Sequence, residues 1–237
     1  ETGISMALTF IEYLREKIHP DNCVSIKNNR IILKEEHSDS KLKEIIVNFD
    51  SKKYDTFLMT LDENNLSIQQ KRKMFPYFKE DICSSVDYVL FVNEKNTEDY
   101  FIFHIELKSQ KPENREILKK HITSQKIIKF ILTALYLKNL KEYRNIGQKI
   151  EFPKQFYEST IVLYKSNLSG TKQEIKEKQY KMEPYKGCIS EKWSYYTKGL
   201  AVASGQSRVN LKEFLVYFKK NILQSKNEIC YELYLNT

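Results

Sequence analysis

The sequence contains few of the residues on which several classes of functional site depend. It has only 6 glycines in 237 residues, and no glycine-rich loop that would cradle a nucleotide phosphate is visible. Its four cysteines, Cys23, Cys83, Cys188 and Cys230, lie far apart and form no C-x-x-C pair. This spacing argues against a zinc site or a dense disulfide framework and favours a reducing, cytoplasmic setting. No arrangement of serine, cysteine or histidine suggests covalent catalysis.

Long apolar runs are also missing. No run reaches the length of a membrane span, and no secretory signal is visible, so we expect no membrane partner. Hydrophobic residues make up 41% of the chain and charged residues 30%, which is typical of a folded, soluble protein. A chain of this length can bury one sizeable core. We therefore predict a single domain over residues 6–237, with the opening ETGIS left outside it.

Positive charge exceeds negative charge by 8, which points to a polyanionic partner such as nucleic acid. The excess has a second explanation, because chains rich in Lys, Asn and Ile are common in AT-rich genomes. Residues 170–198 form a Lys- and Tyr-rich insertion, in which lysines would neutralise phosphates and aromatic rings would stack on bases. A solvated insertion with its own small aromatic cluster is the alternative.

The spacing of apolar residues predicts an α/β or α+β fold with a mixed sheet. Helices are expected at 8–18, over about 26 residues from Pro112, and at 210–222. A hairpin turning at Asn28 and Asn29 is expected within 24–36, and a short helix and loop within 64–85. Strands are expected at 43–49, 54–61, 86–92, 100–108, 159–166, 199–204 and 228–235.

Charged residues interrupt the two apolar strands of the segment 86–110. Asp87 lies near the start of the first strand, and Glu106 and Lys108 lie near the end of the second. Alternate side chains share a face of a strand, so Glu106 and Lys108 point the same way while Leu107 points into the core. A hairpin would bring Asp87 beside them. Two neighbouring carboxylates are costly unless a cation lies between them, and oxygen ligands suit Mg²⁺ or Mn²⁺.

Three further residues are weaker candidates. His104 shares the strand face of Glu106, although a histidine there is more often a packed neighbour. His121 falls on the long predicted helix and is expected at the surface. Glu12 lies on the first predicted helix, where a solvated acidic face is the simpler interpretation.

The spacing D-x18-E-x-K, with "VDYVLF" followed by "YFIFHIELKSQ", resembles the PD-(D/E)xK nuclease superfamily. The resemblance covers about residues 81–165, and Val86 replaces the proline that gives the motif its name. It implies a restriction-endonuclease-like mixed β-sheet flanked by helices. Members of this superfamily include restriction enzymes, repair nucleases and effectors of bacterial anti-phage systems.

The resemblance also assigns roles to individual residues. It implies that Asp87 and Glu106 are metal ligands, that the carbonyl of Leu107 adds a third ligand, and that Lys108 positions or activates the attacking water. Superfamily members often carry a glutamine in the helix after the E-x-K strand, and Gln125 matches in placement.

The implied function is a Mg²⁺-dependent (or Mn²⁺-dependent) deoxyribonuclease of bacterial restriction or anti-phage defence. DNA is the expected partner. A partner protein or an ATPase would supply activation, because this chain shows no ATP-binding loop of its own. The alternative is a catalytically inactive nuclease fold that docks nucleic acid or a partner protein. A purely structural alternative is that Asp87 starts a strand after a loop, while Glu106 and Lys108 form an exposed ion pair at the end of the next strand.

Overall fold

The structure is a computed structural model. It describes residues 8–35, 43–61, 85–108, 114–146, 150–153, 155–165, 176–182, 195–202, 208–212, 214–215 and 230–232. The helix and loop expected within 64–85 lie outside these residues except for Ser85. Of the helix expected at 210–222, Asn210 instead ends a short strand, and the other described residues, Leu211, Lys212, Phe214 and Leu215, are helical.

Apart from those four helical residues, the described residues form two α-helices, one short 3-10 helix at Pro20–Asn22 and ten strands. Helix α1 begins where Thr9 and Glu12 form a reciprocal capping box, and it ends before Pro20, as the sequence predicts. The helices and strands are α1 Phe10–Lys17, β1 Arg30–Lys34, β2 Glu44–Asn48, β3 Tyr54–Thr60, β4 Tyr88–Glu94, β5 Tyr100–Lys108, α2 Asn114–Ile146, β6 Gln155–Lys165, β7 Lys176–Met182, β8 Tyr195–Val202, β9 Arg208–Asn210 and β10 Cys230–Glu232.

The strands build two mixed sheets, so the predicted α+β class with a mixed sheet is confirmed. The large sheet has the order β3-β4-β5-β6-β8-β7, and β10 pairs with the start of β6. Strands β5, β6 and β8 run parallel, whereas β3-β4, β4-β5 and β7-β8 are antiparallel pairs. The small sheet has the order β1-β2-β9.

Each face of the large sheet is covered, which explains why β5 is almost entirely apolar. On one face its side chains pack against the small sheet, and on the other against α1 and α2. Residues Tyr100–Lys108 are buried from the second to the eighth position. Leu107 packs between the sheets, as predicted, whereas His104 and Glu106 lie on the opposite, helix-covered face. The helix-covered face of β5 is therefore buried as well.

Two segments differ from the sequence expectation. The expected turn at Asn28 and Asn29 is present, with φ of 52° and 59°. Its first arm contributes only a single bridge between Lys27 and Arg30, and β1 pairs with β2 instead. The Lys- and Tyr-rich segment supplies β7 and the first half of β8, so part of it extends the large sheet.

No helix among the described residues combines the length and apolar character needed to cross a membrane. Helix α2 is long at 33 residues, but its sequence carries lysines throughout.

Candidate active site

Asp87 and Glu106 meet where β4 begins and β5 ends. The antiparallel register pairs Tyr88 with Ile105, so the next position outward brings Asp87 opposite Glu106. The backbone N–H of Leu107 donates a hydrogen bond of 2.6 Å to Oδ2 of Asp87. A carboxylate that accepts a backbone hydrogen bond has a restricted rotation. The hairpin therefore fixes both acids on the helix-covered face of the sheet.

The segment that carries Asp87 is tied to elements on both sides. The N–H of Val86 donates to Oγ of Ser124 on α2 at 2.8 Å, and both residues are fully buried. The carbonyl of Asp87 accepts a bond from Thr60 Oγ1 at 3.1 Å and another from the N–H of Leu61 at 3.2 Å. Strand β3 and helix α2 together hold the start of β4 in register with β5.

Glu106 is contacted by two lysines. It is 1% exposed, and its Oε1 lies 2.6 Å from Nζ of Lys120 and 3.1 Å from Nζ of Lys108. Its other oxygen, Oε2, is buried without a hydrogen-bond partner. Leaving a carboxylate oxygen unpaired in the interior is costly, so this atom needs an explanation, and an ion or a water bound there is one.

The two carboxyl groups have perturbed pKa values. Burial raises the pKa of Asp87 well above its ordinary value, and the neighbouring charge of Glu106 raises it further. The Leu107 hydrogen bond and Lys120 oppose this rise. Burial also raises the pKa of Glu106, while Lys120 and Lys108 act to lower it. Paired acids with shifted pKa values are typical of active sites and of metal sites before the metal binds.

Gln125 is fully buried on the face of α2 that covers the sheet. Its Nε2 donates to Oε2 of Glu158, on β6, at 2.9 Å, and its own Oε1 has no hydrogen-bond partner. The resemblance to the nuclease superfamily implies that this glutamine belongs to the active site. The described contact is instead with Glu158, and a catalytic role for Gln125 stays a prediction.

Two buried histidines contact each other close to Glu158. His104 is fully buried, with neither ring nitrogen hydrogen-bonded, and its Nε2 is 3.8 Å from Oε1 of Glu158. The ring of His121 meets that of His104 edge to face at 5.1 Å, and its Nδ1 shares a hydrogen bond with Thr160. The expectation that His121 lies at the surface is wrong, because the buried stripe of α2 includes this position. Burial and His104 lower its pKa, which keeps its imidazole neutral.

The fit of a divalent cation rests on the two acids. The described residues include no group of three or more His, Cys, Asp or Glu side chains arranged for a metal. Mg²⁺, however, commonly uses only one or two carboxylates and completes its shell with water and phosphate oxygens. The electrostatic coupling of Asp87 with Glu106 and the unpartnered Oε2 of Glu106 suit that mode. A ligand role for the carbonyl of Leu107 stays a prediction.

Sequence reasoning missed Lys120, Ser124 and Glu158. Lys120 and Ser124 lie on α2 five residues and one residue before Gln125, so both fall within about a turn and a half of it. We call the end of the sheet that carries Asp87 and Glu106 the acidic edge. Once the helix is predicted to cross the acidic edge, polar residues in this part of the helix become candidates for the site. Glu158 is the only charged residue in the sequence "FYESTIVL" of β6, which was itself a usable signal.

Glu12 lies elsewhere. Its carboxylate accepts bonds from the N–H and the hydroxyl of Thr9 in the α1 cap. The next residue, Tyr13, contacts α2 at Leu135, which is 15 residues beyond Lys120 and thus about 22 Å along the helix. The helix cap accounts for Glu12 without a role in the site.

A comparison of the chain with protein-family models, curated proteins and solved structures found no match.

Proposed function

We propose that the protein is a metal-dependent nuclease that hydrolyses DNA phosphodiester bonds, with Mg²⁺ or Mn²⁺ as cofactor. The observation that carries the proposal is the meeting of Asp87, Glu106 and Lys108 at the junction of β4 and β5. Leu107 holds the first acid at 2.6 Å, and Lys108 approaches the second at 3.1 Å. Two acids can hold a divalent cation, and an amine beside them can supply positive charge to a bound phosphate.

A divalent cation held by Asp87 and Glu106 would polarise a phosphoryl oxygen and lower the pKa of a bound water. The remaining work falls to the chain itself. The Leu107 N–H holds the Asp87 carboxylate in one orientation, and the Ser124 hydroxyl holds the preceding residue. Lys108 is 25% exposed at the end of β5 and supplies positive charge where negative charge develops on the phosphate.

The wider setting of the proposal is a restriction-endonuclease-like fold in a bacterial restriction or anti-phage system. Support comes from a mixed sheet with α2 crossing the acidic end of β5, and from a net charge of +8. In this setting the protein acts in the cytoplasm on DNA, with a partner protein or ATPase as activator. Strand β7 adds the sequence KEKQYKM to the large sheet, which brings three of the lysines expected to contact phosphate.

One observation favours a second candidate, the inactive binding module. Glu106 accepts contacts from Lys120 and Lys108, so the two acids at this edge are matched by two ammonium groups. A balanced ion cluster of this kind can serve structure or a partner interface alone. The two candidates differ in whether a divalent cation binds at Asp87 and Glu106.

The deciding experiment compares supercoiled plasmid cleavage and divalent-cation binding in four proteins: wild type, Asp87→Asn, Glu106→Gln and the control Asp55→Asn. Asp55 forms an ion pair with the half-exposed Arg15 at 2.7 Å. It lies opposite Asn93, at the end of β4 away from Asp87. We expect Mn²⁺ or Mg²⁺ to raise the melting temperature of wild type and Asp55→Asn, because a ligand of the folded state stabilises it. Cleavage should fall by at least about a hundredfold in the two site variants.

The binding module predicts a different outcome. Equal melting shifts in wild type and Glu106→Gln would place the cation elsewhere and remove the proposed metal site. Absence of any shift in wild type, together with intact plasmid, would favour the inactive module. Cleavage that survives in both site variants would assign the activity to other residues or to a contaminant.

A further inference from the structure

Lys120 makes the shortest charged contact at the acidic edge. Its Nζ lies 2.6 Å from Oε1 of Glu106, whereas Nζ of Lys108 lies 3.1 Å from the same atom. The two lysines come from different elements. Lys108 ends β5 on the same strand as Glu106, and Lys120 reaches the carboxylate from α2. The motif that identified Lys108 carries no information about this second amine.

The position of Lys120 combines burial with access. Its side chain is 18% exposed, so the stem is largely covered while the residue still reaches the surface of the site. Glu106 itself is 1% exposed and keeps one oxygen unpartnered. A lysine stem has four carbons and a freely rotating head, which allows its ammonium group to move between neighbouring anions.

The charges at the edge set up a competition. Asp87 and Glu106 offer two negative charges when both are ionised, and Lys108 and Lys120 offer two positive ones. A divalent cation entering beside Glu106 is repelled by both ammonium groups at short range, where screening is weak. Coordination of the Glu106 carboxylate therefore favours the departure of one lysine from Oε1.

We propose that Lys120 is the counter-ion that Glu106 exchanges for the divalent cation, and that its released ammonium group then binds the phosphate of the substrate. The inference rests on the proposed function. We assign the exchange to Lys120 because it reaches Glu106 from a separate element, α2, whereas the backbone of Lys108 lies two residues from Glu106 on the same strand. The exchange keeps positive charge at the edge for the incoming phosphate.

The test measures Mn²⁺ affinity by calorimetry at neutral pH for wild type, Lys120→Met, Lys120→Arg and the control Lys138→Met. Lys138 is exposed on the same helix, 18 residues from Lys120. Removal of a like charge within a few ångströms should tighten Mn²⁺ binding in Lys120→Met by about tenfold. Lys120→Arg and Lys138→Met should keep affinities close to wild type, since neither removes charge from the edge.

The second readout is single-turnover cleavage of a DNA duplex at saturating Mn²⁺. Lys120→Met should cleave at least about tenfold more slowly than wild type despite its tighter metal binding, because the phosphate has lost a cation. Opposite changes in metal affinity and in rate distinguish counter-ion exchange from structural support. A lysine that merely held Glu106 in place would weaken Mn²⁺ binding when removed.

Three results would overturn the exchange. Weaker or unchanged Mn²⁺ binding in Lys120→Met would do so, as would unchanged cleavage in that variant. If wild type and Glu106→Gln bind Mn²⁺ equally, the proposed metal site fails and the exchange fails with it. If wild type binds Mn²⁺ through Glu106 but Lys120→Met binds Mn²⁺ and cleaves DNA as wild type does, the nuclease proposal stands and the Lys120 inference alone falls.

Discussion

The hydrogen bond from Val86 to Ser124 allows a sharp test of how the acidic edge is held. Both residues are fully buried, and the bond measures 2.8 Å. Ser124→Ala removes the acceptor and leaves the Val86 N–H in the interior without this partner. A buried donor left unsatisfied costs about 1–3 kcal/mol. In a domain of this size each kcal/mol lowers the melting temperature by roughly 2–4 °C.

Urea unfolding provides the assay, with Thr133→Ala as the matched control. Thr133 also carries a hydroxyl on α2, but it is exposed and its bond of 2.8 Å returns to the carbonyl of Lys129 on the same helix. We expect the free energy of unfolding of Ser124→Ala to fall by about 1–3 kcal/mol, which urea unfolding reports as a lower midpoint at an unchanged slope. The control should change the free energy of unfolding by less than about 0.5 kcal/mol. Equal midpoints for the two variants would refute the claim that Ser124 fixes the start of β4.

The remaining predictions concern the charge of Asp87, the buried amide of Gln125 and the lysines of β7. Because the pKa of Asp87 is raised on folding, the stability of the metal-free protein should decline as pH rises from about 4 through that raised value, and Asp87→Asn should flatten the decline in urea midpoints. A pH profile unchanged by Asp87→Asn would contradict this. Gln125→Ala should reduce cleavage at least tenfold, about 1.4 kcal/mol, in a folded protein, and undiminished activity would make Gln125 a bystander. Replacing Lys176, Lys178 and Lys181 with Gln should lower the log–log salt slope of DNA binding by about one unit per lost phosphate contact, whereas an unchanged slope would assign β7 to structure alone.

Local patterns predicted the elements that carry the acids. The two apolar runs that predicted strands correspond to β4 and β5, and the helical periodicity after Pro112 corresponds to α2. These predictions succeeded because each element buries a face, and burial imposes a period of 2 or 3.6 on the sequence. The pairing of β4 with β5 followed from the short loop between them.

The contacts made by α2 were not predictable in the same way. His121 and Lys120 are neighbours in a helix that also carries lysines at 119, 126 and 129. Whether each side chain is buried depends on where the helix rests on β5 and β6. The periodicity of the sequence shows that the helix has an apolar face, but it does not show which residues at the border of that face are buried. Strand β7 was not predicted because its sequence is polar. A strand at the end of a sheet tolerates charged residues, so it lacks an apolar pattern.

The helix-covered face of β5 changes character along its length. Ile102 belongs to an apolar core with α1 and α2, and the next residue on that face, His104, has two unpartnered nitrogens. Glu106 follows, with one oxygen between two lysines and the other unpaired. Well-packed apolar residues in place of a buried ionic cluster are often neutral or stabilising, so stability alone does not call for these groups. Polar groups that are kept in a core at such a cost are expected at functional sites. This gradient, from apolar packing to paired acids at the end of one strand, is the physical reason to look for chemistry at Asp87 and Glu106.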